Sequence, residues 1–162
     1  KTGQTGVLYQ IRNVLYKERK QQMTDVRDVL CEGGDALYRI DYHYVQGTEM
    51  HGIIVGGNIR CFLKLSGTAY MPDLNGKILL LESRSGTVAR METYLSQLQQ
   101  IGAFEQIAGI LLGTFTEMEA KQCMPDIVQL VKKYVRKTMP IAVTKQIGHG
   151  TDAKGIVIGG EL

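Results

Sequence analysis

The chain has 162 residues, 44% of them hydrophobic and 22% charged, with a formal net charge of +3. A chain of this length buries about 70% of its unfolded surface, and this composition is that of one globular domain with its own core and no extended disorder. The weak net charge gives no reason to expect a nucleic-acid partner, and no apolar run approaches the ~18 residues of a membrane span, so we expect no membrane partner either.

The N-terminal third contains three predicted elements, a helix and two strands, with a linker between the helix and the first strand. Apolar residues recur at helical spacing from Val7 to Gln22, which predicts an amphipathic helix. Residues 23–36 lack a clear period and end in a glycine pair, as a linker does. Tyrosine and isoleucine then alternate with polar residues over 38–44, and this period predicts a strand, followed by a second strand over 50–55.

The remainder alternates between predicted strands and helices. Asn58 is expected to cap a short helix that stops at Gly67. The unbroken apolar run at 77–81 predicts a strand buried on both faces. A helix over 88–101, a strand over 107–112, a helix after Pro125 and strands over 141–144 and 156–158 follow. This order predicts an α/β fold, a single domain with a mixed, largely parallel sheet and packed helices.

Two side chains stand where such sheets carry chemistry, at the carboxyl ends of strands. Glu82 ends the strand at 77–81, and His149 lies between two glycines beyond the strand at 141–144. Taken alone, either residue is also compatible with a structural role. None of the four serines lies in a G-x-S-x-G turn that would expose a nucleophile. The histidines and the three cysteines lack metal-ligand spacing, so we expect no metal, and we expect the cysteines to be buried reduced thiols.

Several short motifs occur in an order that resembles the C-terminal domain of the LD-carboxypeptidases. They are Val55-Gly-Gly-Asn58, the segment from Gly67 through Pro72 to Leu-Leu-Leu-Glu82, Gly113-Thr-Phe115, and Gly148-His149 with Ile158-Gly159 ten residues later. The resemblance covers roughly residues 52 to 162. It implies the swivelling β/β/α-type fold of that domain.

The resemblance also implies catalytic roles. Glu82 and His149 would be the acidic and histidine members of a Ser-His-Glu triad, with no cofactor. The serine and the oxyanion hole would come from an N-terminal domain. Since the chain starts at Lys1 and lacks a serine elbow, we expect it to be a fragment, with residues 1–36 the helix and linker that end the missing domain and residues 37–162 the C-terminal domain.

Family members hydrolyse an amide between L- and D-configured centres, releasing D-alanine from murein tetrapeptides, and a related branch cleaves a peptidyl-nucleotide antibiotic and confers microcin immunity. The resemblance therefore implies a muropeptide or peptidyl-nucleotide substrate, a cytoplasmic location and a possible homodimer. Asn58 is a candidate substrate contact. The segment after Glu82 lacks the acids usual in the family, so a non-catalytic binding or dimerisation module on the same fold is the alternative.

Overall fold

The computed structural model describes residues 4–10 and 20–162. The strands in these ranges are β1 Gly6–Leu8, β2 His43–Gln46, β3 Ile54–Asn58, β4 Ile78–Ser83, β5 Gly109–Phe115, β6 Ile141–Val143 and β7 Ile156–Ile158. The helices are α1 Lys20–Cys31, α2 Ile59–Leu63, α3 Val88–Gln100, α4 Ala103–Gln106, α5 Thr116–Ala120 and α6 Ile127–Tyr134, with a 3-10 turn at Ala36–Tyr38. No helix within these ranges is long and apolar enough to cross a membrane.

The main sheet has five strands in the order β2-β6-β5-β4-β3. Strands β3, β4, β5 and β6 run parallel to one another, and β2 is antiparallel to β6. Strands β1 and β7 form a separate antiparallel pair. The predicted α/β class with a mixed, largely parallel sheet is therefore confirmed.

The interior strand β4, between β5 and β3, has all six residues buried because both faces of the sheet are covered. Its side chains alternate between two apolar clusters. Leu79 and Leu81 lie in the larger cluster with residues of α3 and α6, while Ile78 and Leu80 lie in the cluster that includes Ile156 of β7. Each fully buried leucine or isoleucine contributes about 1.5–3 kcal/mol relative to an exposed one.

The predicted helix over residues 7–22 is wrong at its start. Residues 6–8 form β1, which pairs with β7 through Val7 opposite Val157, and residues 11–19 of the prediction lie outside the described part of the chain. Leu8 packs against the cluster of Ile156, whereas Val7 and Tyr9 pack against the cluster of Val157. This alternation has the period of a strand, and a helical spacing of apolar residues over so few positions does not exclude it. Helix α1 instead occupies much of the segment interpreted as a linker.

Smaller differences concern boundaries and cysteines. The strand predicted over 38–44 begins only at His43, after the 3-10 turn, and the strand predicted over 50–55 lies at Ile54–Asn58. Strand β3 is fixed by its pairing with β4, from Ile54 opposite Ile78 to Asn58 opposite Glu82. The expectation of buried cysteines is wrong for Cys31 and Cys61, which are exposed.

Candidate active site

Glu82 lies near the carboxyl end of β4 and is only 2% exposed. It continues the apolar run of that strand, and the burial of the preceding leucines places Glu82 in the interior. A buried carboxylate is costly without a hydrogen-bonding partner. Glu82 has one, because its Oε2 lies 2.7 Å from Nδ1 of His149.

His149 approaches from the loop that follows β6. Its side chain is 21% exposed, compared with 3% for that of Glu82. The ring thus contacts the buried carboxylate while remaining partly exposed to solvent. With the Nδ1 proton donated to the carboxylate, the neutral ring has Nε2 as its acceptor, which is the arrangement of a histidine general base.

The position of the loop that carries His149 is related to a register shift between β4 and β5. Leu81 lies opposite Leu112 and Ser83 opposite Phe115, so two residues of β5, Gly113 and Thr114, face the single position of Glu82. An extra residue of this kind disrupts the ladder locally and frees backbone groups for other partners. The N–H of Thr114 donates to the carbonyl of Ile147 at 2.8 Å, which ties the loop to the end of β5 two residues before His149.

Two glycines make that approach possible. A Cβ at Gly113 would lie 2.6 Å from the carbonyl oxygen of Ile147 and 3.0 Å from Cβ of Glu82. Gly148 has a φ of +139°, and a Cβ there would lie 2.0 Å from Oγ1 of Thr114. Larger residues at either position would push the loop from the strand. Both glycines belong to the sequence motifs, but only the structure shows that Gly113 lies against Ile147 and Gly148 against Thr114.

Hydrogen bonds within the loop that carries His149, and from the start of the loop to Asp41, also hold it in place. The N–H of Lys154 donates to the carbonyl of Gln146 at 2.7 Å. The side-chain amide of Gln146 accepts from the backbone N–H of Asp41 at 2.8 Å and donates to the Asp41 carboxylate at 2.7 Å. His149 is thus held in a loop with several fixed points.

Asn58 lies on the neighbouring strand, directly opposite Glu82 in the β3–β4 pairing. Its Oδ1 accepts from the N–H of Cys61 at 3.3 Å and caps α2, as the sequence predicts. The residue therefore lies at the same edge of the sheet as Glu82. Its role as a substrate contact stays a prediction.

The serine that follows Glu82 is not placed as a nucleophile. Ser83 is buried, and its hydroxyl donates to the carbonyl of Ser85 at 2.9 Å. In the described ranges there is also no group of three or more His, Cys, Asp or Glu side chains that could hold a metal ion.

The sequence did not predict that the N-terminal segment lines the site. A small cleft beside the carboxylate is lined by Leu8, Tyr9, Gln10, Glu82, Ile147, Gly148 and Lys154. Three of these residues belong to the N-terminal segment that was predicted to be helical. Their position depends on the pairing of β1 with β7, for which the local sequence carries no signal.

Comparison with known proteins places this domain. The LD-carboxypeptidase C-terminal domain model matches residues 51–162. A Treponema pallidum protein assigned by name to the carboxypeptidases is 33% identical over 126 residues, covering 75% of this chain and 36% of the relative. The microcin C7 self-immunity protein MccF of Escherichia coli is 30% identical over 78 residues, covering 48% of this chain and 23% of MccF.

Solved structures agree on the fold. An MccF-like protein from Bacillus anthracis superimposes with a TM-score of 0.61 at 29% identity, covering 74% of this chain and 38% of that protein. MccF itself superimposes with a TM-score of 0.63 at 18% identity, covering 76% of this chain and 38% of MccF. The chain thus spans well under half the length of these relatives. The resemblance stated from the motifs is confirmed, and the chain belongs to the family of LD-carboxypeptidase C-terminal domains.

Proposed function

We propose that this chain is the C-terminal half of a serine hydrolase of the LD-carboxypeptidase type, to which it contributes Glu82 and His149 of a Ser-His-Glu triad. The observation that carries the proposal is the 2.7 Å contact between the buried carboxylate and Nδ1 of the partly exposed ring. A carboxylate in this position fixes the tautomer of the imidazole and stabilises the imidazolium that forms during reaction.

In the proposed reaction, Nε2 of His149 accepts the hydroxyl proton of a serine as that oxygen attacks the amide carbonyl. The same proton then passes to the leaving amine, and the acyl group stays on the serine. Water next attacks the acyl-enzyme by the same route, giving up a proton to His149 that returns to the serine. Glu82 keeps its charge throughout.

The serine and the oxyanion hole are proposed to lie on an N-terminal domain that meets this chain at the carboxyl edge of the main sheet. The share of each relative that this chain covers supports a second domain, since it is 36% for the Treponema protein. A solved active-site mutant of MccF has a serine, an asparagine and a lysine replaced by alanine. A serine in that protein's active site supports the proposed nucleophile, and an asparagine there supports Asn58 as a contact.

The proposed substrate is a murein tetrapeptide, whose terminal L,D amide would be cleaved to release D-alanine. The carboxypeptidase names of several relatives support this choice. The competing substrate is an aminoacyl or peptidyl nucleotide, because MccF has been solved with aspartyl sulfamoyl adenosine and with glutamyl sulfamoyl guanosine. Each of these two compounds joins an acidic amino-acyl group to a nucleoside through a sulfamoyl group.

The test uses this domain joined to its N-terminal domain and measures D-alanine release from murein tetrapeptide beside cleavage of an aminoacyl sulfamoyl adenosine. Glu82→Gln should lower kcat by up to about 10⁴, as loss of the orienting carboxylate does in other triads. Glu49→Gln and His51→Gln are matched controls, because both residues are exposed. Turnover by Glu82→Gln or His149→Gln at the level of the controls would refute the triad. Absence of turnover of either substrate by the unmutated protein would instead favour the non-catalytic binding module.

A further inference from the structure

The turn that follows Glu82 leads from β4 into α3 and contains no acidic residue. Its sequence is Ser83-Arg-Ser-Gly86, followed by Thr87 at the start of the helix. Within the turn, the hydroxyl of Ser83 donates to the carbonyl of Ser85. Thr87 makes no side-chain capping bond to α3. The carbonyl of Thr87 accepts from the N–H groups of Arg90 and Met91, and further contacts to the turn come from another element.

Those contacts come from Glu117 in α5. Its backbone N–H donates to the carbonyl of Arg84 at 3.2 Å, and its Oε2 accepts from the backbone N–H of Gly86 at 2.6 Å. One residue thus holds both halves of the turn. Because α5 follows directly on β5, these bonds extend the β4–β5 pairing past the position of Glu82.

The Glu117 carboxylate is charged when it makes this bond. Its Oε1 lies 2.6 Å from Nζ of Lys121, and this hydrogen bond, followed by that from the Gly86 amide, lowers the pKa of Glu117. A backbone N–H bonded to a carboxylate is a charge-assisted hydrogen bond, stronger than one between neutral groups.

Gly86 fits the place where it is held. Its φ is +117°, and a Cβ there would lie 2.6 Å from Cε of Met91 and 2.9 Å from Cδ of Arg90. The turn is therefore packed closely against side chains at the start of α3 and hydrogen-bonded to Glu117.

We infer that Glu117 is a positioning residue for Glu82, acting through the turn at 83–86 to hold the carboxylate against Nδ1 of His149. The inference deepens the proposed function and rests on it for its catalytic meaning. The inference also has a structural consequence: the Glu82–His149 hydrogen bond should depend on the length of the Glu117 side chain. This dependence can be measured without an activity assay.

The experiment follows the hydrogen-bonded Nδ1 proton of His149 by NMR in the 162-residue chain, with Glu82→Gln to identify its signal. Glu117→Ala and Glu117→Asp, which lacks the reach to Gly86 but keeps the charge, should weaken or broaden this signal. Glu117→Gln retains an oxygen at the same distance and should keep it. Glu105→Ala is the matched control, since it removes one exposed acidic side chain from α4, the helix preceding β5.

Each outcome decides the inference. Loss of the signal in Glu117→Asp with its retention in Glu117→Gln supports it, and this comparison stands even if Glu117→Ala does not fold. An unchanged signal in Glu117→Asp overturns it, and so does equal loss in all Glu117 variants, which would indicate a general loss of structure.

The second readout is turnover by the protein that carries both domains. Glu117→Asp should lower kcat by roughly 10- to 100-fold, as a small misplacement of a reacting group does, with KM nearly unchanged. A change in KM alone would overturn the positioning role. If the parent shows no turnover on either substrate, the proposed function fails, while the NMR comparison still decides the role of Glu117.

Discussion

Replacing Gly113 with alanine should push the His149 loop away from the end of β5. The new Cβ would stand 2.6 Å from the carbonyl oxygen of Ile147, and ordinary contacts begin at about 3.4 Å, so one of the two backbones must move by about 0.8 Å. The same movement would stretch the bond from the N–H of Thr114 to that carbonyl, now 2.8 Å, beyond hydrogen-bond length.

The cost has two parts. Overpacking against backbone typically costs about 1–3 kcal/mol, and the lost hydrogen bond about 0.5–1.5 kcal/mol. We therefore expect the free energy of unfolding to fall by roughly 1.5–4.5 kcal/mol. Since His149 lies two residues beyond Ile147, we also expect the turnover proposed above for a two-domain protein to fall by about 10²-fold.

Urea denaturation of the chain measures the stability change, and the Nδ1 proton signal of His149 reports the site. Gly109→Ala is the matched control in the same strand, because the nearest atoms to its Cβ would be side-chain atoms of Met50, Sδ at 2.8 Å and Cβ at 3.0 Å, rather than backbone. The control should be the milder change and should keep the His149 signal. A Gly113→Ala chain within about 0.5 kcal/mol of the parent, with the signal intact, would refute the argument that this glycine sets the loop's approach.

Three further changes test other parts of the structure. Leu95→Ala removes a fully buried side chain of α3 and should lower the free energy of unfolding by about 2–5 kcal/mol, measured by urea denaturation. A loss below about 1 kcal/mol would contradict the packing described. Gln146→Ala removes both hydrogen bonds to Asp41 and should lower the free energy of unfolding by only about 1 kcal/mol. It should also speed amide hydrogen exchange in residues 146–154. Unchanged exchange there would contradict the role of these bonds in holding the loop. Hydrogen bonds from Lys133 and Tyr134 lower the pKa of Glu92 below its ordinary value of 4.5. The contribution of these bonds to the stability of the fold is therefore fully present above pH 4.5 and is lost as the pH falls through the lowered pKa. Glu92→Gln should therefore destabilise the chain near neutral pH and approach the parent in acid, and a difference independent of pH would contradict this origin.

The strands and helices of the core were predictable because their local signals agree with their packing. The apolar run before Glu82 has the composition of a strand covered on both faces, and β4 is buried along its whole length. Asn58 has the side chain of a helix cap and caps α2. Where the signal is short, prediction failed, since the few apolar residues at 7–9 fit a helix and a strand equally well.

The local sequence pattern indicates Glu82 and His149 only as two separate residues, and the family resemblance alone predicted that they belong to one site. Glu82 and His149 are 67 positions apart, and the sequence indicates that each follows a strand without giving the distance between them. That distance depends on the order β6-β5-β4, on the register shift that sets Gly113 and Thr114 opposite Glu82, and on the carbonyl of Ile147 that Thr114 binds.

The sequence by itself determined the fold class, the family and the two residues of the candidate site, because these depend on local periodicity and on short motifs in a fixed order. The tertiary structure alone decided that the N-terminal segment is a strand beside the site, that Gly113 and Gly148 admit the loop, and that Glu117 holds the turn after Glu82. Each of these depends on contacts between residues far apart in the chain, and such contacts are set by strand register and close packing, which no local pattern encodes.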